Sequence, residues 1–135
     1  MPGSAVREAT MKLLYEAEMS GPDNEDTLDA LIGFTPDQED LRYIEAVLVA
    51  VRDNAYALDS EIERYAVGWT IDRIAKVDLC ILRLALTEII LLRDARIPTA
   101  VSIDEAVNLT KTFSTPEAGA FVNGILGSIV RARGE

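Results

Sequence analysis

Histidine is absent from the 135-residue sequence and cysteine occurs once, at Cys80. The first absence excludes Ser-His-Asp and Cys-His catalysis, and the second excludes a disulfide framework and a thiolate zinc site. No G-x-G-x-x-G or Walker sequence supports a nucleotide fold, and a diiron-type bundle lacks the histidines it needs. Carboxylate pairs at helical spacing, such as Asp59 with Glu63 or Asp104 with Glu105, therefore read as solvated faces or caps. The chain is expected to be non-catalytic, without metal or cofactor. Long apolar runs are also missing. The most apolar stretch, Val77 to Leu92, is interrupted by Asp78, Arg83 and Glu88, which makes it a buried helix and not a membrane span. Cys80, between Leu79 and Ile81, reads as a small buried hydrophobe. Met1 to Ser4 leads straight into a charged amphipathic segment, unlike a signal peptide, so a cytoplasmic protein is expected.

Positive charge is scarce as well: 13 Lys+Arg stand against 23 Asp+Glu, a net charge of −10. Such a balance disfavours autonomous nucleic-acid binding, which is driven by cations displacing counterions from phosphates. The imbalance is local. Residues 1–66 carry five basic and fifteen acidic side chains, whereas residues 67–135 carry eight of each. The acidic stretch Asp23 to Asp29 reads either as a solvated loop and helix start or as a partner site.

Half of the sequence is hydrophobic (49%), enough for one compact domain or two small lobes. Nothing alternates at period two, and Leu, Ala, Glu and Arg dominate the periodic segments, so the fold is expected to be all-α. The first helix should run from about Ala5 to Met19 and end at Ser20-Gly21-Pro22. Val6, Ala9, Thr10, Leu13 and Ala17 form its core stripe, with Tyr15 on the opposite face beside Met11, Glu8 and Glu18. An aromatic there is either packed by a second lobe or offered to a partner. A short helix is expected at about Glu25 to Ile32. Thr35-Pro36-Asp37-Gln38 then resembles a cap, with Gln38 completing a capping box. Leu41, Ile44, Leu48, Val51, Ala55, Leu58, Ile62 and Tyr65 continue as one seam, with a break at Asp53-Asn54 or at Asp59. Gly68 and Trp69 make a turn, Thr70 caps a short helix through Ala75, and Asp78 caps the apolar helix ending near Arg93. Ser102-Ile103-Asp104-Glu105 reads as a capping box for a helix to about Thr112. The last helix, Glu117 to about Arg131, has Ala118, Val122, Ile125, Leu126, Ile129 and Val130 as its core stripe. That makes about seven helices.

Two phenylalanines flank the last polar turn: Phe113 before Ser114 to Pro116, and Phe121 just after it, with Lys111 close by. Such a pair suits stacking of unpaired bases, with the cation on phosphate. It equally suits two rings closing the core at a helix junction.

At these residues the chain resembles the NusB family of bacterial transcription antitermination factors. The likeness is carried by Ile97-Pro98, by Val101-Ser102-Ile103-Asp104-Glu105-Ala106-Val107, by Lys111-Thr112-Phe113 and above all by Phe121-Val122-Asn123-Gly124-Ile125-Leu126. Val77-Asp78 with Leu82-Arg83-Leu84-Ala85-Leu86 and Glu88 is similar to the family's long central helix, and Arg7-Glu8-Ala9 with Leu13-Leu14-Tyr15 to its first. The helix-interior Gly124, which costs about 1 kcal/mol relative to Ala, suggests a close helix approach.

The resemblance implies a two-lobed all-helical RNA-binding module without catalysis, with lobes at about 1–66 and 67–135. Its partner would be NusE, a small ribosomal-subunit protein. The pair would bind boxA RNA and join the RNA polymerase antitermination complex on ribosomal RNA operons, away from any membrane. The family's RNA contacts fall on Arg7, Tyr15, Phe113, Glu117 and Phe121, with Lys12 and Lys111 as neighbouring cations. Its contacts to NusE fall on Asp72 and Asp78, either of which could equally be a helix cap. The family's N-terminal arginine cluster is missing here: Met1-Pro2-Gly3-Ser4-Ala5 is uncharged and Arg7 is followed by Glu8. Weak RNA binding by the chain alone is therefore expected, with NusE supplying positive charge. Two other readings are a helical protein-protein adaptor that has lost RNA, and an RNA-recognition module like those fused to ribosomal RNA cytosine methyltransferases.

Overall fold

A computed structural model describes residues 1–20 and 33–134. The turn at Gly21-Pro22, the acidic stretch Asp23 to Asp29 and the short helix expected at Glu25 to Ile32 lie outside the described residues. Those described form five α-helices and no strand: α1 (Ser4–Ser20), α2 (Gln38–Tyr65), α3 (Lys76–Leu86), α4 (Thr99–Phe113) and α5 (Pro116–Ala132). The chain is all-helical, as its periodicity required. Of the seven expected helices, the one at Thr70 to Ala75 is reduced to a single 3-10 turn, Ile71–Arg73.

Helix α3 is the hub. Every residue from Asp78 to Leu86 is buried, because helices α1, α2, α4 and α5 all pack around it. At its end the backbone widens into a π-helical turn, Thr87–Leu91, in which the Leu92 N–H donates to the Thr87 carbonyl at 2.9 Å. One core cluster draws Met11 and Leu14 from α1, Val47, Val51, Leu58 and Ile62 from α2, and Val122, Ile125, Leu126 and Ile129 from α5. Burying each large aliphatic side chain contributes about 1.5–3 kcal/mol. The stripe read for α5 is buried in full. In α2 the helical dihedrals fail at Asn54, the first of the two expected break positions, where Asn54 Nδ2 donates to the Ala50 carbonyl at 2.8 Å.

Helix α1 departs from its expected facing. Val6 and Leu13 pack with Ile44 in a smaller cluster, while Met11, expected on the outer face, joins the main core and is 1% exposed. Ala17, expected inside, is exposed. The helix is buried on two sides, so a single-stripe reading could not place it.

Several capping expectations are corrected. The N-cap of α2 is Asp37, not Thr35, and its reciprocal partner is Asp40, whose N–H donates to Asp37 Oδ1 at 2.8 Å. Helix α4 begins at Thr99, three residues before Ser102, which lies buried inside the helix. Helix α3 begins at Lys76, so Asp78 sits in its first turn and is not its cap. Gly124 makes no close approach, since a Cβ there would meet nothing within 4 Å. The tight contact between α4 and α5 is at Gly119, where a Cβ would lie 3.2 Å from Thr110 Oγ1.

Candidate nucleic-acid and partner interface

Phe113 is the last residue of α4 and Phe121 stands in the second turn of α5, both half-buried against the main core. Their neighbours differ. The Lys12 ammonium from α1 lies 5.3 Å from the Phe113 ring centroid, within cation–π range, and is also paired with Glu8 at 3.1 Å. Tyr15, one helical step from Lys12, is half-buried against the core. Lys12 and Phe113 thus meet at one corner of the molecule, contributed by helices at opposite ends of the chain.

Phe121 belongs to a second corner. Its ring meets Trp69 edge-on, with centroids 6.2 Å apart and planes at 72°. The two rings wall a pocket of about 310 Å3 that Asp78, Glu117, Arg73 and Ala118 also line. Asp78 is 8% exposed, and its Oδ1 has no hydrogen-bond partner. Glu117, Phe121 and Asp78 are therefore brought together, whereas the resemblance had placed them in two separate interfaces. Asp72 lies outside this pocket on the 3-10 turn. It accepts from Thr70 Oγ1 at 2.5 Å, and that hydrogen bond holds its carboxyl below the usual carboxylate range. Lys111 is exposed and lines a separate shallow groove between α4 and α5 with Asn108 and Asn123.

Trp69 escaped the reading of the sequence, which treated Gly68-Trp69 only as a turn. The signal was present: the one tryptophan of the chain stands in a turn, where no core stripe claims it.

Arg7 is corrected. It is 2% exposed, and its guanidinium grips Glu88 through two hydrogen bonds, Nε to Oε2 at 2.7 Å and Nη2 to Oε1 at 2.9 Å. Its Nη1 donates to the Pro2 carbonyl at 2.8 Å. Ser102 Oγ donates to Glu88 Oε1 at 2.7 Å, and the Tyr43 hydroxyl to Oε2. Burial opposes the charge of Arg7, but Glu88 more than offsets this and raises its pKa, while burial and the Glu88 charge push the Tyr43 hydroxyl up. A side chain expected on RNA phosphate thus ties α1, α2, the π turn and α4 together. Glu88 was equally missed. A carboxylate amid the most apolar stretch of the chain must be paired when buried, and that was its signal.

A second cluster joins α1, α2 and α3. Arg83 donates to both oxygens of Asp59 at 2.8 and 2.7 Å, and to Glu18 Oε2 at 2.9 Å. The hydrogen bond from Arg83 holds Glu18 below its usual value of 4.5. A depressed carboxyl stabilises the fold above its ordinary pKa, and that contribution is lost as pH falls through the lower folded value. In pH-dependent thermal melts, Glu18→Gln should therefore lower stability near neutrality and flatten its decline below about pH 4.5. Cys80 is fully buried, and burial pushes its thiol up to about 12, which removes thiolate chemistry. Among the described residues there is no cluster of three His, Cys, Asp or Glu side chains that could hold a metal, and no helix long and apolar enough to cross a membrane.

With this geometry in place, comparison with known proteins is informative. The family model described as NusB family matches residues 4–131. The transcription antitermination protein NusB of Alkaliphilus oremlandii is 42% identical over 135 residues, covering 99% of this chain and 96% of its own. That of Acetivibrio thermocellus is 41% identical over 130 residues, covering 96% and 88%. Among solved structures, T. maritima NusB superposes with a TM-score of 0.80 at 31% identity, covering 97% of this chain and 92% of its own. A structure of antitermination factors NusB and NusE in complex with dsRNA gives 0.82 at 25% identity, covering 96% of each chain. The family model spans nearly the whole sequence and the relatives match over most of both chains, and the chain belongs to the NusB family.

Proposed function

We propose that this chain is a non-catalytic, cytoplasmic antitermination factor that binds boxA RNA together with NusE and promotes transcription of ribosomal RNA operons. The observation that carries the reading is the pair of half-buried phenylalanines on either side of the α4–α5 turn, Phe113 at the end of α4 beside Lys12 and Phe121 in the second turn of α5 on a pocket that Asp78 and Glu117 also line. Bases stack on Phe113, Phe121 and Tyr15, Lys12 and Lys111 meet phosphates, and Glu117 accepts from base or ribose donors. Asp72 and Asp78 face the basic NusE. Residues 1–66 and 67–135 act as the two lobes of this one module. The similarity to a NusB–NusE–dsRNA structure supports the partnership.

The chain's own cations favour dependence on that partner. Arg7, Lys12, Lys76 and Arg83 are already paired with carboxylates, which lowers their attraction for phosphate. The same pairing favours the adaptor as a second reading. Fluorescence anisotropy of labelled boxA RNA, titrated with this chain, with NusE and with both, separates the two. The pair should bind RNA more tightly than either protein alone. A pair that forms without any gain in RNA affinity would favour the adaptor.

A further inference from the structure

The groove between α4 and α5 carries two side chains that the fold does not use. Asn108 of α4 and Asn123 of α5 both line it, and neither amide hydrogen-bonds another described residue. Asparagine is a poor helix former, because its amide competes for nearby backbone groups. At Asn54 that competition is realised, and the amide takes the Ala50 carbonyl where α2 breaks. Asn108 and Asn123 instead stand exposed in regular helix, with their amides left to the groove. Gly124 is unexplained in the same way. It lies inside α5, exposed, and packing does not ask for it, since a Cβ there would meet nothing within 4 Å. At about 100° per residue, Gly124 and Ala120 cover the exposed side of α5 between Phe121 and Asn123. A bare strip thus runs from the Phe121 ring to the groove.

The groove, of about 550 Å3, sets one cation, Lys111, against one carboxylate, Asp104, and Lys111 has no ion-pair partner among the described residues. Its two helices are held close at Gly119, where a Cβ would lie 3.2 Å from Thr110 Oγ1, so the spacing of the amides is fixed by packing. A run of phosphates would need more than one cation. A helix docking here would need apolar anchors, of which the groove offers only Val107 and Ala120. An amide presents one acceptor and two donors, which match the edge of an unpaired base. We propose that the groove takes one unpaired base of the RNA, its edge read by the Asn108 and Asn123 amides and its phosphate held by Lys111. This rests on the RNA-binding reading above and adds to it a place where sequence is read. Stacking on Phe113 and Phe121 tolerates any base, whereas two amides of fixed spacing select among them. A strand stacked on Phe121 reaches the groove across Ala120 and Gly124, where no side chain beyond a methyl stands in its way.

The test is a cycle between protein and RNA, read by anisotropy of the full chain with NusE on boxA RNAs that each carry one abasic nucleotide. At one position, loss of the base should weaken wild-type binding about fivefold or more, the scale of a bidentate base contact. Asn123→Ala and Asn108→Ala should each weaken binding of the intact RNA, and Asn123→Ala should lose nothing further at that position while still losing affinity at the others. Both alanine variants place a better helix former at an exposed site, so they should melt at or above the wild-type temperature. Their salt slopes should stay as in the wild type, whereas Lys111→Ala should lower the slope by about 0.7. Gly124→Gln, which fills the bare strip, should melt higher and bind RNA more weakly. Asparagine variants that bind every RNA as the wild type does would overturn the proposal and leave the RNA-binding reading standing. Weakened binding of NusE itself by these variants would overturn it in favour of a protein contact. Failure of the wild-type pair to bind boxA RNA would overturn both.

Discussion

Glu88→Ala will destabilise the chain by about 3–5 kcal/mol, the scale on which removing one partner of a buried ion pair is felt. The carboxylate is 1% exposed at its side chain and receives donors from three residues on three helices. Its loss leaves the Arg7 guanidinium charged and buried, with only the Pro2 carbonyl, and deprives the Tyr43 and Ser102 hydroxyls of their acceptor. Arg7→Ala should cost a similar amount from the other side, and the double variant should lose clearly less than the sum of the two, since each single change already breaks the shared pair. Urea unfolding of the four chains measures this. Arg7→Ala with wild-type stability and weakened RNA binding would return Arg7 to the RNA surface.

Phe121→Ala should weaken RNA binding by the chain with NusE by about 1–3 kcal/mol, or roughly 5- to 150-fold, if a base stacks on that ring. The ring is half-buried, edge-on to Trp69, and packs against the main core, so truncation also removes buried apolar area. Phe121→Leu and Phe121→Tyr separate the two effects. Leucine keeps apolar bulk without a π face and should fold yet bind RNA poorly, whereas tyrosine keeps the face and should bind nearly as the wild type. Matched losses of stability and affinity for Leu and Ala, with Leu otherwise unfolded at assay temperature, would make Phe121 a core residue and no more.

The parts of this molecule that were legible in the sequence are those where one helix meets one core. Helix α5 presents a single apolar stripe, and all six residues of that stripe are buried. The apolar run of α3 and the break at Asn54 followed from composition and from one short polar side chain that bonds its own backbone. What stayed hidden depends on partners distant in sequence. Arg7 looks like a surface cation until Glu88, 81 positions later, is found beside it. Ser102 looks like a cap because a hydroxyl followed by acids is what caps look like, yet its hydroxyl serves the same buried carboxylate. Met11 defeats a one-stripe reading because α1 is packed on two sides. At the site, the two phenylalanines and Lys12 were named from local pattern and resemblance. The pocket that unites Phe121, Glu117 and Asp78 was not, because Trp69 and Asp78 come from a turn and a helix start that only the fold brings to α5.

The deficit of positive charge is the thread that runs from composition to mechanism, since a family of RNA-binding factors is represented here by a chain of net charge −10 in which two arginines, Arg7 and Arg83, are buried against carboxylates. The most direct measurement is the salt dependence of boxA RNA affinity, for the chain alone and for the chain with NusE. With few phosphate contacts of its own, the chain alone should bind weakly, with a slope of log K against log salt near −0.7 to −1.4, about one or two phosphates of a single strand. The pair should bind more tightly and with a distinctly steeper slope, as the partner adds cations. Tight, steeply salt-dependent binding by the chain alone, unchanged by NusE, would contradict the account.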